Sequence, residues 1–170
     1  VTPVTYIDEA LCLAEHGVTL CTFGDLLRVP GTHGSLAIAR SDGANIQIVY
    51  TALDAVTYAA AHPEEAVTFL SVGFETTTPA ACLAIQQAEA QHLKNFTLLT
   101  ANKTMDAAYL AMAASCDAYL YPGHVCTITG AQVPRALTQK GISGAIAGFT
   151  AAELLTAIAA IVKKSQTGKP

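Results

Sequence analysis

Short runs rich in β-branched and aromatic residues alternate with longer Ala-rich stretches along the whole chain, and this alternation restricts the possible folds more than any other feature. The apolar runs fall at residues 18–23, 45–50, 66–74, 96–101, 118–121 and 144–149. They are nearly continuously apolar, which is the pattern of strands covered on both faces, and the stretches between them have the length of crossover helices. The pattern implies repeating β-α units around a mostly parallel sheet, which is the α/β class. One sheet and portions of two α/β lobes both remain open, because three units on each side of residue 95 suit either arrangement.

Helix signals support this Rossmann-like alternation. Thr150 and Glu153 have the spacing of a capping box, and Thr51 with Asp54 and Thr5 with Asp8 are weaker versions of it. Thr78 before Pro79 reads as a cap followed by proline at the first helical position, where its missing N–H is harmless. Gly17 and Gly141 follow helical stretches and suit the left-handed residue that ends a helix, and a short helix is expected from Pro134 to near Lys140. His16, His62 and His92 fall at helix ends, where a partial positive charge suits the dipole. The α/β region takes in residues 1–165, with a polar tail over 166–170.

Composition excludes several classes. With 170 residues, 52% of them hydrophobic, the chain buries enough surface to fold without a disulfide or metal scaffold. A net charge of −4 with no basic run argues against nucleic acid as a partner. The longest apolar tracts fall short of the ~20 residues a membrane span needs, and residues 1–9 lack the basic start of a secretory signal. The absence of an initiator Met is expected to reflect processing or excision from something longer. Cys12, Cys21, Cys82, Cys116 and Cys126 form no C-x-x-C pair, so they read as reduced thiols of a cytoplasmic protein, at least four of them buried as small hydrophobes.

Ligands of open parallel sheets bind beyond the carboxyl ends of the strands. Three unusual segments fall there and are expected to converge: Phe23-Gly24-Asp25-Leu26-Leu27-Arg28-Val29-Pro30-Gly31, Gly73-Phe74-Glu75-Thr76-Thr77-Thr78-Pro79, and Pro122-Gly123-His124-Val125-Cys126. Glu75, Thr76 and Thr77 would set a carboxylate beside hydroxyls and helix-start amides, suited to holding a polar group; alternatively the threonines only cap the helix. Asp25 and Arg28 suit a surface ion pair. Residues 31–35, Gly-Thr-His-Gly-Ser, are glycine-rich enough to cradle an anion but lack the ending of a P-loop, and no G-x-G-x-x-G follows a strand. His124 and Cys126 are compatible with a nucleophile, a metal-ligand pair, a redox thiol or a merely structural pair.

In this order and spacing the segments resemble the HypD family of [NiFe]-hydrogenase maturation proteins, and the similarity extends across nearly the whole chain, including Val49-Tyr50-Thr51-Ala52-Leu53-Asp54-Ala55 and Ala147-Gly148-Phe149. The resemblance implies a scaffold on which the Fe(CN)2CO group is assembled with HypC and HypE, carrying iron and a [4Fe–4S] cluster. It implies a cleft lined by Gly24, Asp25, Arg28, Pro30, Gly73, Glu75, Thr76, Thr77, Pro122, Gly123 and His124. The chain matches the middle of the family: Val1-Thr2-Pro3 resembles the residues just after the family's Gly-Pro-Gly-Cys-Pro-Val-Cys segment, and the ligand cysteines are not among these 170 residues. No metal or cluster is therefore expected on this chain. Cys126 stands where the family usually has Ser, and the segment Asn102-Lys103-Thr104 departs from its usual His-x-Leu-x-Pro-Pro.

Three functions compete. The first is a hydrogenase-maturation scaffold segment, an assembly protein rather than a stand-alone enzyme, whose Glu75, Thr76, Thr77, His124 and Asp25 belong to the wall of the assembly cleft; Glu75, His124 and Cys126 are the candidates for any catalysis. The second is a stand-alone cysteine-dependent hydrolase or transferase using Cys126 and His124, and the third an α/β module that binds an anion at helix N-termini.

Overall fold

The computed structural model describes residues 2–167, and the chain divides into two compact units, Val1–Lys103 and Thr104–Pro170. The first unit runs α1 (Val4–Glu15), β1 (Thr19–Thr22), a 3-10 turn (Gly24–Arg28), α2 (Leu36–Ser41), β2 (Ile46–Ile48), α3 (Ala52–Ala61), β3 (Val67–Gly73), α4 (Thr78–Ala90) and β4 (Phe96–Asn102). Its four strands are parallel, in the order β2-β1-β3-β4, with Cys21 opposite both Gln47 and Phe69, and Leu70 opposite Leu99.

Neighbouring strand residues point to opposite faces, so each strand supplies two cores. Leu20, Ile46 and Leu70 pack with Tyr6, Ile7 and Ala10 of α1 and Leu36 of α2. Cys21, Val67 and Phe69 pack on the other face with Ala55, Val56 and Ala59 of α3 and Ala84 and Ala88 of α4. Small alanines let these helices approach the sheet closely. Cys21 is fully buried and desolvation pushes its thiol up to about 12, so it serves as a core hydrophobe. The expectation that at least four cysteines are buried is corrected: Cys12 and Cys82 are exposed on helices and Cys116 and Cys126 are half-buried. At the amino edge, Glu65 accepts hydrogen bonds from Thr19 Oγ1 (2.7 Å), Asn45 Nδ2 (3.1 Å) and Tyr58 Oη (3.2 Å), tying three elements together.

The second unit runs α5 (Met105–Met112), a 3-10 turn (Ala113–Ser115), β5 (Ala118–Pro122), α6 (Gly123–Thr129), α7 (Gln132–Gln139), β6 (Ser143–Ala147) and α8 (Ala151–Gln166). β5 and β6 pair in parallel, Tyr121 opposite Ile146. Tyr109, Tyr119 and Tyr121 form its core with Leu137, and Tyr109 meets both other rings edge-on at 5.4 and 5.1 Å. Tyr119 Oη donates to the carbonyl of Tyr109 at 2.8 Å, so this buried phenol is satisfied.

Six strands lie where the apolar runs predict them, and the capping boxes at Thr51/Asp54 and Thr150/Glu153 are formed. Gly17 and Gly141 carry positive φ after α1 and α7. Other expectations are corrected. Thr5 lies inside α1, and Asp8 bonds Thr32 across the unit instead of closing a box. The N-cap of α4 is Thr77 rather than Thr78, which moves Pro79 to the second helical position. Pro134 lies within the first turn of α7, where a missing N–H leaves no bond broken, rather than opening the helix. Strands covered on both faces are found in β1 and β3, whereas Leu120 of β5 and Ile146 of β6 are 41% and 46% exposed. α8 takes in residue 166 of the expected tail, whose residues 168–170 lie outside the described residues. Among the described residues no helix is long and apolar enough to cross a membrane.

Candidate functional site

The chain leaves β1 for β2 on one side and returns to place β3 on the other, so the strand order reverses between β1 and β3. A crevice opens at the carboxyl end of a parallel sheet at such a reversal. Here it is a cavity of about 310 Å³ lined by Asp25, Leu26 and Val29 after β1, Val72, Gly73 and Phe74 at the end of β3, and Lys103 after β4. The first two predicted segments thus meet in the first unit, with one acid and one base at the same opening.

Gly24–Arg28 is a 3-10 turn anchored by Leu26, which is buried, with Asp25 in its first turn and Arg28 in its last, each charge at the end that suits the turn's dipole. Gly24, Asp25, Arg28 and Pro30 are exposed. Pro30 bridges to Ser35, and the Gly31 N–H donates to the Gly34 carbonyl at 2.7 Å. The anion expected at 31–35 is the chain's own: the Asp8 carboxylate accepts the Thr32 N–H at 2.7 Å and its hydroxyl at 2.6 Å, and these bonds hold its pKa below the usual carboxylate value. Ser35 N-caps α2 through the Ile38 N–H.

The second segment is held by its own threonines. The Phe74 carbonyl accepts from the N–H groups of Thr77 (3.1 Å) and Thr78 (3.2 Å) and from their hydroxyls at 3.1 and 2.9 Å. Those two hydroxyls therefore brace the loop, Thr76 is exposed, and Glu75 is half-buried with Oε2 shielded from solvent. Asn102, noted from the sequence only as part of a departure from the family pattern, ties the loop to β4. Its Oδ1 accepts from Ser71 (2.7 Å) and Thr100 (2.9 Å), its Nδ2 donates to Thr78 Oγ1 (3.2 Å), and the next N–H, of Lys103, donates to the Gly73 carbonyl at 2.9 Å. The signal available was a polar residue ending an otherwise apolar strand.

The third segment belongs to the second unit and is not a loop. Pro122 ends β5 and Gly123 starts α6, where an added Cβ would stand 2.9 Å from the Ala147 carbonyl, so only glycine lets the helix start this close to β6. His124 is exposed, its ring 4.9 Å from that of Phe149. Cys126 packs against the tyrosine core, and burial pushes its thiol up. Two residues apart on a helix, His124 and Cys126 point to different sides. Burial thus acts on the Cys126 thiol against the thiolate form that a nucleophile uses. Alkylation by iodoacetamide at neutral pH, mapped by mass spectrometry, should proceed more slowly at Cys126 than at the exposed Cys12 and Cys82; equal or faster labelling of Cys126 would restore the nucleophile.

Two units of parallel β-α structure, one with a crevice at its strand-order reversal, define an open α/β protein. The family model HypD, described as the Hydrogenase formation hypA family, matches residues 1–170, and the chain belongs to that family. It is similar to the hydrogenase maturation factor HypD of Azotobacter vinelandii, 37% identical over 99% of this chain and 48% of that protein. It is likewise similar to the maturation factors HypD of Cupriavidus necator (35% identical, 99% of this chain and 48% of that protein) and Escherichia coli (34%, 96% and 46%). The chain thus spans about half the length of these curated relatives.

Proposed function

We propose that this chain forms part of a cytoplasmic scaffold on which the Fe(CN)2CO group of [NiFe] hydrogenase is assembled in company with HypC and HypE. Family membership supports the reading, and the observation that carries it is the crevice between β1 and β3, bordered by the two segments through which the sequence resembles the family. In this role the chain is an assembly protein. Asp25 and Glu75 supply carboxylates near the crevice, Gly24, Arg28, Pro30, Gly73, Thr76 and Thr77 shape its rim, and Pro122, Gly123 and His124 supply the corresponding part of the second unit.

A resident [4Fe–4S] cluster does not fit the residues described: among them no group of three His, Cys, Asp or Glu side chains is placed to hold a metal ion. Iron enters this reading as cargo, and no step is assigned to a cluster on this chain.

The test is a chimera in which this chain replaces the matching half of the Azotobacter vinelandii protein, in a strain lacking its own copy. The chimera should restore hydrogenase activity, and Glu75→Gln should lower it about tenfold or more at an unchanged protein level. Full activity in the Glu75→Gln chimera would remove Glu75 from the site, and a stable but inactive parent chimera would count against the scaffold role.

A further inference from the structure

Cys12 and His16 stand four residues apart at the end of α1, a spacing that sets two side chains on one face of a helix. Both are exposed, and Cys12 Sγ lies 3.8 Å from His16 Nδ1. A divalent ion held about 2.3 Å from sulfur and about 2.0–2.1 Å from nitrogen, in tetrahedral geometry, keeps its two donor atoms about 3.6 Å apart. The pair already has nearly the separation that one such ion spans. His16 Nδ1 is also 2.8 Å from the Cys12 carbonyl, which the His16 backbone N–H reaches at 3.2 Å. That carbonyl keeps a donor when the imidazole turns to a metal.

The setting favours a cation. The carboxyl end of a helix carries partial negative charge, and the exposed Glu9 and Glu15 each lie one turn from Cys12. Because α1 leads into the start of β1, the pair sits at the amino edge of the first unit's sheet, whereas the crevice opens at the carboxyl edge.

We propose that Cys12 and His16 form a two-ligand site for a zinc-class divalent cation, bound through the Cys12 thiolate and a ring nitrogen of His16. On binding, the thiol proton passes to solvent and no electron is transferred. Thiolate and imidazole select such ions over Mg2+ and Ca2+, which take oxygen ligands. Among the described residues no third His, Cys, Asp or Glu is placed to complete the set, so water fills the remaining positions. Open positions let the ion exchange, unlike the closed four-ligand sites that hold structural zinc. The site is independent of the crevice and of the assembly role proposed for it.

The probe is Co2+, titrated into the reduced chain without oxygen and followed by absorbance. One equivalent should produce the near-ultraviolet charge-transfer band of a cobalt thiolate, and Zn2+ but not Mg2+ should remove it. Cys12→Ser should abolish the band and His16→Ala should weaken Co2+ binding about tenfold or more. Cys82→Ser, which removes the exposed thiol of α4, should change neither. No band, a band that survives Cys12→Ser, or an affinity unchanged by His16→Ala overturns the proposal.

Discussion

Gly73→Ala is expected to lower stability by about 2–4 kcal/mol and the melting temperature by roughly ten degrees or more. Gly73 ends β3 with φ at +139°, a conformation in which a side chain is strained. A Cβ there would also collide with the Thr77 hydroxyl and stand 3.0 Å from the Thr77 Cβ. Moving Thr77 away breaks its bonds to Phe74, so the loop bearing Glu75 is lost with the stability. Thr77→Ala removes the colliding hydroxyl, and the double variant should therefore lose less than the two single variants together. Thermal denaturation checks both statements; a Gly73→Ala protein that melts within a degree or two of the parent would show that the turn relaxes freely.

Phe69→Ala should cost about 3–5 kcal/mol, the range for emptying a buried aromatic site. Phe69 is 1% exposed at the centre of β3, between β1 and β4, and meets Phe23 edge-on at 5.5 Å. α3 and α4 pack over it through alanines, which have no side-chain length with which to fill the space left behind. Urea denaturation followed by circular dichroism reads the loss, and a change below about 1.5 kcal/mol would mean that the face collapses around the cavity.

The strands were legible because a parallel sheet covered on both faces demands a nearly continuous apolar run, and Val67 through Val72, interrupted only by Thr68 and Ser71, is one. Helix starts were legible where a threonine and an acid three residues later can satisfy each other's backbone, as at Thr150 and Glu153. The same spacing misled at Thr5 and Asp8, because a carboxylate at that position found better donors on Thr32, 24 residues away. Pro122 and Gly123 are residue types that break helices in their interiors. Here they stand at a strand end and a helix start, where neither residue conflicts with the backbone. Asn102 was noticed only as a departure from the family pattern, because its structural role lies in bonds to Ser71 on the neighbouring strand and Thr78 at the start of α4, which no local pattern of residues specifies.

The amino-acid sequence by itself determined the α/β class, the six strands, the family and the segments on which a site is built, since each rests on local pattern or on motifs in order. Tertiary structure alone decided the division of those strands into sheets of four and two, the reversal between β1 and β3 that opens the crevice, and the separation of His124 from Cys126. Strand order and side-chain direction depend on which surfaces pack together across long stretches of chain, and no local pattern of residues specifies that.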